Sequence, residues 1–401
     1  MGILTLQYGQ CGNQIGHDLY SLLLEDIQQR KKDNPHFSYE YIDQWFDMDN
    51  KGMFRPRSIM IDTETKVLNS LKKSPQMNLN RVVAESIGGC ANNWAAGYME
   101  NNKTFIQEVL DIVRSENEKS DSVLSLLNIY SLSGGTGSGV GSSIIENLCD
   151  LYSKKNIINC AVLPYVRGEI STQSYNCVLN LSKLYSITTS TIIFENEKLL
   201  HLCKYSLGLS NINYYDINRI ISQQIASFFH PVKNVNDSLN LINNLVVHPY
   251  YKFLQIRTEP NVKITFENSL ENAMIKQSCY DLKHSNKVNK CLSSVFICRG
   301  KEISISKILK NSHNFVSWIP EQHKNSIYYV NSPFLKYKSF LTQCFNANNI
   351  VTPLQTLIND AWISFTHGAY LHHYNSFGVD KEYFLNSFQQ MENILYDYIN
   401  I

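Results

Sequence analysis

Ser133-Gly-Gly-Thr-Gly-Ser-Gly139 follows a run with the pattern of a buried strand, Val123 to Leu132, and opens a helical pattern, Val140 to Tyr152. The glycine-rich turn therefore stands at a helix N-terminus. Four of its seven residues lack a Cβ, so backbone can approach a ligand closely. Thr136 and Ser138 add hydroxyl donors, and the helix dipole favours negative charge at this end. These properties suit a phosphate group. The turn matches neither common nucleotide fingerprint, because the Lys of GxxxxGK[ST] is absent and the spacing of GxGxxG with a later ribose-binding acid does not fit. Read alone, the same residues also describe a flexible surface loop, a reading that the strand-loop-helix setting disfavours.

Outward from the turn, short apolar runs alternate with amphipathic stretches from Gly2 to about Pro231. ILTLQY leads into a helix through Ile15, Leu19, Leu23 and Ile27; SIMI, SVLSLLNIYSL, IINCAVLPY and STIIFEN read as further strands, with a helix through Phe105, Val109 and Ile112. This rhythm predicts an α/β fold with a doubly wound parallel sheet, whose ligands bind at the carboxyl ends of the strands. Those ends carry loop chemistry: Gly9-Gln-Cys-Gly-Asn-Gln-Ile-Gly16, Asp62-Thr-Glu64, and Gly88-Gly-Cys-Ala-Asn-Asn-Trp94 before a helix. Their convergence on one phosphate-bearing ligand is the expectation. From Lys233 to Phe345 the rhythm blurs and a smaller α+β domain is expected. Thr352-Pro353 reads as an N-cap and first-turn pair, Gly378 as a C-cap, and Phe384, Phe388, Met391, Leu395 and Tyr398 recur at helical spacing, so two long helices close the chain.

Composition narrows the class without identifying a partner. The 401 residues, 43% hydrophobic and 18% charged, are ordinary for a globular protein with more than one domain. A net charge of +1 gives no general attraction to nucleic acid or to an anionic membrane. Ten cysteines without CxxC or Cys/His ligand spacing argue for reduced, mostly buried thiols in a cytosolic chain. MGILTLQYGQCG has neither the basic n-region nor the apolar stretch of a signal peptide, and no transmembrane segment is expected.

Gly9-Gln-Cys-Gly-Asn-Gln-Ile-Gly16 joined to Gly134-Gly-Thr-Gly-Ser-Gly-Val-Gly141 resembles the tubulin family. Asp62-Thr-Glu64 resembles that family's acidic second loop, Asn92-Asn-Trp94 its third, and Asn196-Glu-Lys-Leu with Tyr214-Tyr-Asp-Ile-Asn218 the helices that hold the base. The likeness covers nearly the whole chain and is weakest from Lys233 to Phe345. Among tubulins the delta type is the most similar, through Pro164-Tyr-Val-Arg-Gly-Glu-Ile-Ser-Thr-Gln-Ser-Tyr-Asn176, His248-Pro249 with Lys252, and a C-terminus without an acidic tail; an epsilon-like or otherwise divergent member is the alternative. The resemblance implies a GTP-binding domain over 1–212, a core helix over 213–232, an intermediate α+β domain over 233–345 and a C-terminal helical hairpin over 346–401.

The resemblance also implies roles. Ser133, Gly134, Gly135, Thr136, Gly137 and Ser138 would wrap the β- and γ-phosphates of GTP or GDP. Gln10 and Cys11 would sit beneath them and Gln14 nearer the sugar and base, although Cys11 reads equally as a small buried thiol. Gly89, Cys90, Ala91 and Asn92 would face the γ-phosphate; Asn-Asn is also common turn material. Asp62 and Glu64 would hold Mg²⁺ with several waters, and they equally describe a helix N-cap with a first-turn acid. Tyr214 and Asn218, on one helix face, and Asn196 would recognise guanine, with Glu169 at the ribose; Tyr and Asn at helical spacing also suit plain packing.

In the family, one subunit's loop completes hydrolysis in its neighbour, and in alpha-tubulin that loop supplies a Glu. Here the segment is Asp237-Ser-Leu-Asn240, with Asn240 in the catalytic position and Asp237 as a weaker candidate or a helix N-cap. An amide cannot accept a proton at neutral pH, and general-base help is typically worth ~10² to 10⁴ in rate, so hydrolysis is expected to be slow. The expected partners are other tubulin subunits of alpha, beta or epsilon type, not nucleic acid or membrane. The expected setting is the cytoplasm and cytoskeleton, at centrioles, basal bodies and the triplet microtubules of cilia. A soluble, non-polymerising GTPase is the competing function, and glycine spacing disfavours a dinucleotide-dependent oxidoreductase.

Overall fold

The computed structural model describes residues 2–33, 40–48, 52–71, 81–84, 89–99, 103–120, 125–168, 170–232, 240–260, 289–300 and 314–401. The strands are β1 (Ile3–Tyr8), β2 (Phe46–Met48), β3 (Phe54–Pro56), β4 (Ser58–Asp62), β5 (Val82–Ala84), β6 (Ser125–Ser131) and β7 (Ile157–Leu163). They continue with β8 (Ser190–Glu195), β9 (Phe253–Pro260), β10 (Lys290–Gly300), β11 (Asn314–Phe315), β12 (Asn325–Val330) and β13 (Ser339–Ala347). One sheet runs in the order β5-β4-β1-β6-β7-β8-β9-β13-β10-β11, with β12 also on β10, while β2 and β3 form a separate ribbon. From β5 to β9 every pairing is parallel. β13 then runs antiparallel to both β9 and β10. The fold is α/β, with a large, mostly parallel sheet under helices, as expected from the sequence.

Strand alternation divides the core into two layers. Leu126 and Tyr130 of β6 and Ile157, Ala161 and Leu163 of β7 face one cluster; Leu127 and Ile129, Ile158, Cys160 and Val162 face the other. Helices Gly141–Leu151 and Gln173–Tyr185 cover the first face, and the C-terminal helices Val351–Thr366 and Lys381–Ile399 pack on the second of these. The second face packs under α1 (Gly9–Asp33) and the helix Tyr214–Phe229. Strands buried on both sides read as nearly continuous apolar runs, which is how they appear in the sequence.

Two segments fold differently from their sequence reading. Gly9–Gly16 is not a loop but the opening turns of α1, entered directly from β1 through Gly9 at φ +65°. Gly12 lets this helix lie on the sheet, because a Cβ there would collide with the Ile129 carbonyl oxygen. The helix carrying Thr352-Pro353 begins at Val351, after a 3₁₀ turn Asn348–Ile350. Pro353 thus lies inside the first turn, where its missing N–H has no intrahelical partner to lose.

Gly378, at φ +86°, does close a helix, the short Leu371–Asn375. Its N–H bonds to the Asn375 carbonyl (3.0 Å) and that of Val379 to the Tyr374 carbonyl (3.2 Å), a glycine-capped ending. In the last helix Phe384, Phe388, Met391, Leu395 and Tyr398 are all buried. No helix is long and apolar enough to cross a membrane among the described residues. None of the nine described cysteines forms a disulfide.

Buried charges tie α1 to His230, to the segment before β13 and, through His230, to β10. Asp26 of α1 accepts from the Leu335 N–H (2.5 Å), from Arg30 Nε (2.6 Å) and from His230 Nε2 (3.0 Å). Arg299 of β10 donates to the carbonyls of Ser227 and His230. The Asp26 carboxylate is met by three donors, which is what keeps a buried charge tolerable.

Candidate functional site

The carboxyl ends of β1, β4, β6, β7 and β8 open on one cleft of about 690 Å³. Tyr8, Gly9, Gln10, Cys11 and Gln14 reach it from the β1–α1 corner, Asp62 and Glu64 from the end of β4, and Cys90, Ala91 and Asn92 from the segment before the helix Trp94–Met99. Ser133, Gly134, Gly135, Thr136 and Gly137 form the wall after β6. Asn196, Tyr214 and Asn218 close the far end. The convergence expected from the strand ends is therefore present, with residues more than 200 positions apart facing each other.

The glycine run is wound into the helix it opens. Thr136–Val140 forms a π-helical turn continuous with the helix Gly141–Leu151. The Ser138 N–H bonds to the Gly134 carbonyl at 3.2 Å, and the Ser138 hydroxyl donates to the same oxygen. Ser138 is fully buried and lies outside the cleft wall. Gly135 has no room for a side chain: a Cβ would lie 2.7 Å from both the Cβ and the carbonyl oxygen of Cys90. Ala91 and Asn92 pass this contact with positive φ, 44° and 54°, a backbone state that Asn tolerates and Ala rarely adopts. Strained backbone of this kind persists only where its surroundings hold it.

One amide ties these segments together. Asn176 Nδ2 donates to the carbonyls of Ser133 (2.6 Å) and Asn92 (2.8 Å), while its oxygen accepts from the Trp94 N–H (2.9 Å). Gly89 does not line the cleft; a Cβ there would strike the Glu64 carboxylate.

At the opposite end, an Asn213–Asp216 capping box starts the helix at Tyr214, which sets Tyr214 and Asn218 one turn apart on its cleft side. Asn218 Nδ2 donates to Gln14 Oε1 at 3.3 Å. The ring of Tyr165 stands 6.1 Å from that of Tyr214 at 50°. Tyr165, Gln173, Asn213 and Tyr215 line the cleft although sequence reading did not select them. Tyr165 was legible only as part of the Pro164–Asn176 stretch. Glu169 and Asp237 lie outside the described residues; Gly168 and Ile170, flanking Glu169, line the cleft. Asn240 begins the short helix Asn240–Leu245 and is exposed, away from the cleft.

No Lys, Arg or His is among the described residues of the wall. Positive potential comes instead from two helix N-termini, those of α1 and of the Thr136–Leu151 helical stretch. Two carboxylates oppose it. Burial raises the Asp62 pKa to about 6; hydrogen bonding from the Glu64 N–H counters this in part, and the Glu64 charge adds to it. A cation would relieve that cost. Burial also raises the Cys11 pKa to about 12, so its thiol stays protonated.

This donor set fits a nucleotide. Gly134 is open toward the cleft, with only Asn92 Oδ1 at 3.8 Å from a Cβ placed there, which leaves space for a phosphate against the backbone. Hydroxyls and amides line one end, tyrosine rings and carboxamides the other. Asp62 and Glu64 supply the sparse carboxylate set that Mg²⁺ takes, and no group of three or more ligating side chains occurs among the described residues.

Comparison with known proteins agrees with this geometry. The model of the Tubulin/FtsZ family, GTPase domain, matches residues 2–204. A tubulin delta chain of Macaca fascicularis and one of Homo sapiens are each 28% identical over an alignment of 456 residues that covers all of both chains. A tubulin beta-1 chain of Glycine max is 26% identical over 421 residues, 99% of this chain and 94% of that one.

Proposed function

The chain belongs to the Tubulin/FtsZ family, whose GTPase domain implies guanine-nucleotide binding, and from that premise we propose that it is a cytoskeletal subunit of delta-tubulin type whose nucleotide governs assembly. The observation that carries the proposal is the single cleft on which the glycine turn, the β1–α1 corner, the acidic turn and the Tyr214–Asn218 helix face converge.

In this reading Ser133 to Gly137 hold the β- and γ-phosphates with backbone N–H groups and hydroxyls, and Ser138 stiffens the turn from inside. Gln10 and Cys11 lie beneath the phosphates. Cys90, Ala91 and Asn92 border the γ-phosphate, with Gly89 giving the Glu64 side chain its room. Asp62 and Glu64 hold Mg²⁺, which neutralises phosphate charge that no described cationic side chain meets. Tyr214 stacks on guanine, Asn196, Asn218 and Gln14 read its edge, and Glu169 takes the ribose. The chain divides into a nucleotide domain (1–212), a core helix (213–232), an intermediate domain (233–345) and C-terminal helices (346–401).

Hydrolysis is slow and needs a neighbour. Asn240 stands where the family's catalytic Glu is expected, so the nucleotide site that this subunit caps lacks a strong base unless Asp237 serves. The partners are other tubulins, of alpha, beta or epsilon type, and the setting is the centriole or basal body, where the subunit joins triplet microtubule assembly. Similarity to tubulin delta chains along the full chain supports the delta type from which this setting is inferred.

The test is to purify the chain, denature it gently and identify the released nucleotide by chromatography, beside Tyr214→Ala. GTP or GDP from the wild type and none from the variant is expected. Wild type that carries none and takes up none with Mg²⁺ would overturn the reading.

A further inference from the structure

Thr63 stands between Asp62 and Glu64 and is buried. Its hydroxyl lies 2.6 Å from that of Thr136 in the glycine turn. The Cys90 thiol, from the third segment of the site, donates to the same Thr63 oxygen at 3.9 Å. Three segments distant in sequence thus meet at one hydroxyl. Thr136 lines the cleft and Thr63 does not, so Thr63 reaches a ligand only through Thr136.

A hydroxyl has one proton to give and two lone pairs to receive. In an empty cleft either threonine can donate to the other. Once the Thr136 proton turns toward an anion, only its lone pairs face Thr63, and Thr63 becomes the donor. The thiol then donates to the Thr63 oxygen. All three protons point one way, and each bond polarises the next.

We propose that Thr63 is a positioning residue that orients the Thr136 hydroxyl toward the phosphate chain of the bound nucleotide and couples the acidic turn to the glycine turn. The proposal rests on reading the cleft as a guanine-nucleotide site and names the part of the ligand that this hydroxyl pair senses. Valine keeps the shape of threonine without the hydroxyl, and serine keeps the hydroxyl.

Calorimetric titration of nucleotide-stripped full-length protein with GTP and with guanosine tests it. Thr63→Val should weaken GTP binding about tenfold, the upper scale of one hydrogen bond between uncharged groups. The ratio of GTP to guanosine affinity should fall with it, and Thr63→Ser should match the wild type. In a Thr136→Val background, Thr63→Val should add nothing. Equal GTP affinity in Thr63→Val and wild type overturns the inference, as does a parallel loss for GTP and guanosine, or a full effect without the Thr136 hydroxyl. Should Thr63→Val not fold, Thr63→Ala removes the same hydroxyl without added bulk. Wild type that binds no GTP at all overturns the proposed function itself, an outcome distinct from a variant that behaves like a binding wild type.

Discussion

The Tyr374 hydroxyl donates to Asn176 Oδ1 across 2.7 Å and ties the outer helical layer to the amide that holds the cleft wall. The other contacts of that amide are the carbonyls of Ser133 and Asn92 and the Trp94 N–H. A parallel link runs from Asn93 Nδ2 to the His373 carbonyl at 3.0 Å. The two loops that form the glycine-turn end of the cleft are thus braced from behind by the C-terminal layer.

Asn176→Asp should destabilise the chain by about 3 kcal/mol or more, because a carboxylate oxygen would replace two buried donors opposite two carbonyls. Tyr374→Phe should cost only about 1 kcal/mol, since it removes one hydrogen bond and keeps the ring. Chemical denaturation of the three proteins compares them. Equal midpoints for Asn176→Asp and wild type would mean that this amide braces nothing.

Asp62 should oppose folding at neutral pH while no cation is bound. With its folded pKa raised to about 6, the native state binds more protons than the unfolded chain, whose carboxyl titrates near 3.9. Stability from this group is therefore full below the unfolded pKa and falls as pH rises through about 6. Asp62→Asn should melt several degrees above the wild type at pH 7.5 without nucleotide, with the gap closing toward pH 5 and the Mg²⁺ response of nucleotide binding weakened. A constant gap across this range would contradict a raised Asp62 pKa.

His230 carries the opposite sign. Burial, then the charges of Arg30 and Arg299, push its pKa well below the ordinary value near 6.5, so its contact with Asp26 is a hydrogen bond from a neutral ring. The unfolded chain takes up a proton that the folded chain refuses. Its stability is thus present above pH 6.5 and is lost as pH falls below it. Burial raises the Asp26 pKa, which works the other way at lower pH. His230→Gln, which can still donate to Asp26, should trail the wild type at pH 7.5 and close that gap toward pH 5. Thermal melts at several pH values give the answer.

Cys11 should resist alkylation. With its pKa pushed up to about 12 by burial, its thiolate fraction at pH 7.5 is on the order of 10⁻⁴ or below. Mass spectrometry after iodoacetamide treatment of the native protein should find Cys11 unmodified at times when a small model thiol has reacted fully.

Much of the fold was legible because it is written in short periods. The buried runs of β6, β7 and β8, the glycine run at the end of β6 and the spacing from Phe384 to Tyr398 each express a local geometry that neighbouring residues decide together. The same locality misled at Gly9–Gly16, where glycines that suggest a loop instead allow a helix to press against β6. Thr352-Pro353 shows a smaller error of this kind: the residues of a helix start are present, but the preceding 3₁₀ turn moves the boundary back.

From sequence alone came the alternation of strands and helices, the phosphate-suited turn and the candidates for the site, because propensity and periodicity are properties of a few consecutive residues. Only the tertiary structure placed Tyr165 beside Tyr214, Thr63 against Thr136 and Asn176 behind Ser133 and Asn92. It also withdrew Ser138 into its helix and Gly89 behind Glu64. Those relations depend on how far one helix lies from a strand and which way a buried hydroxyl or amide turns to find a partner. Close packing and hydrogen-bond satisfaction settle such distances across the whole chain at once, and no local pattern encodes them.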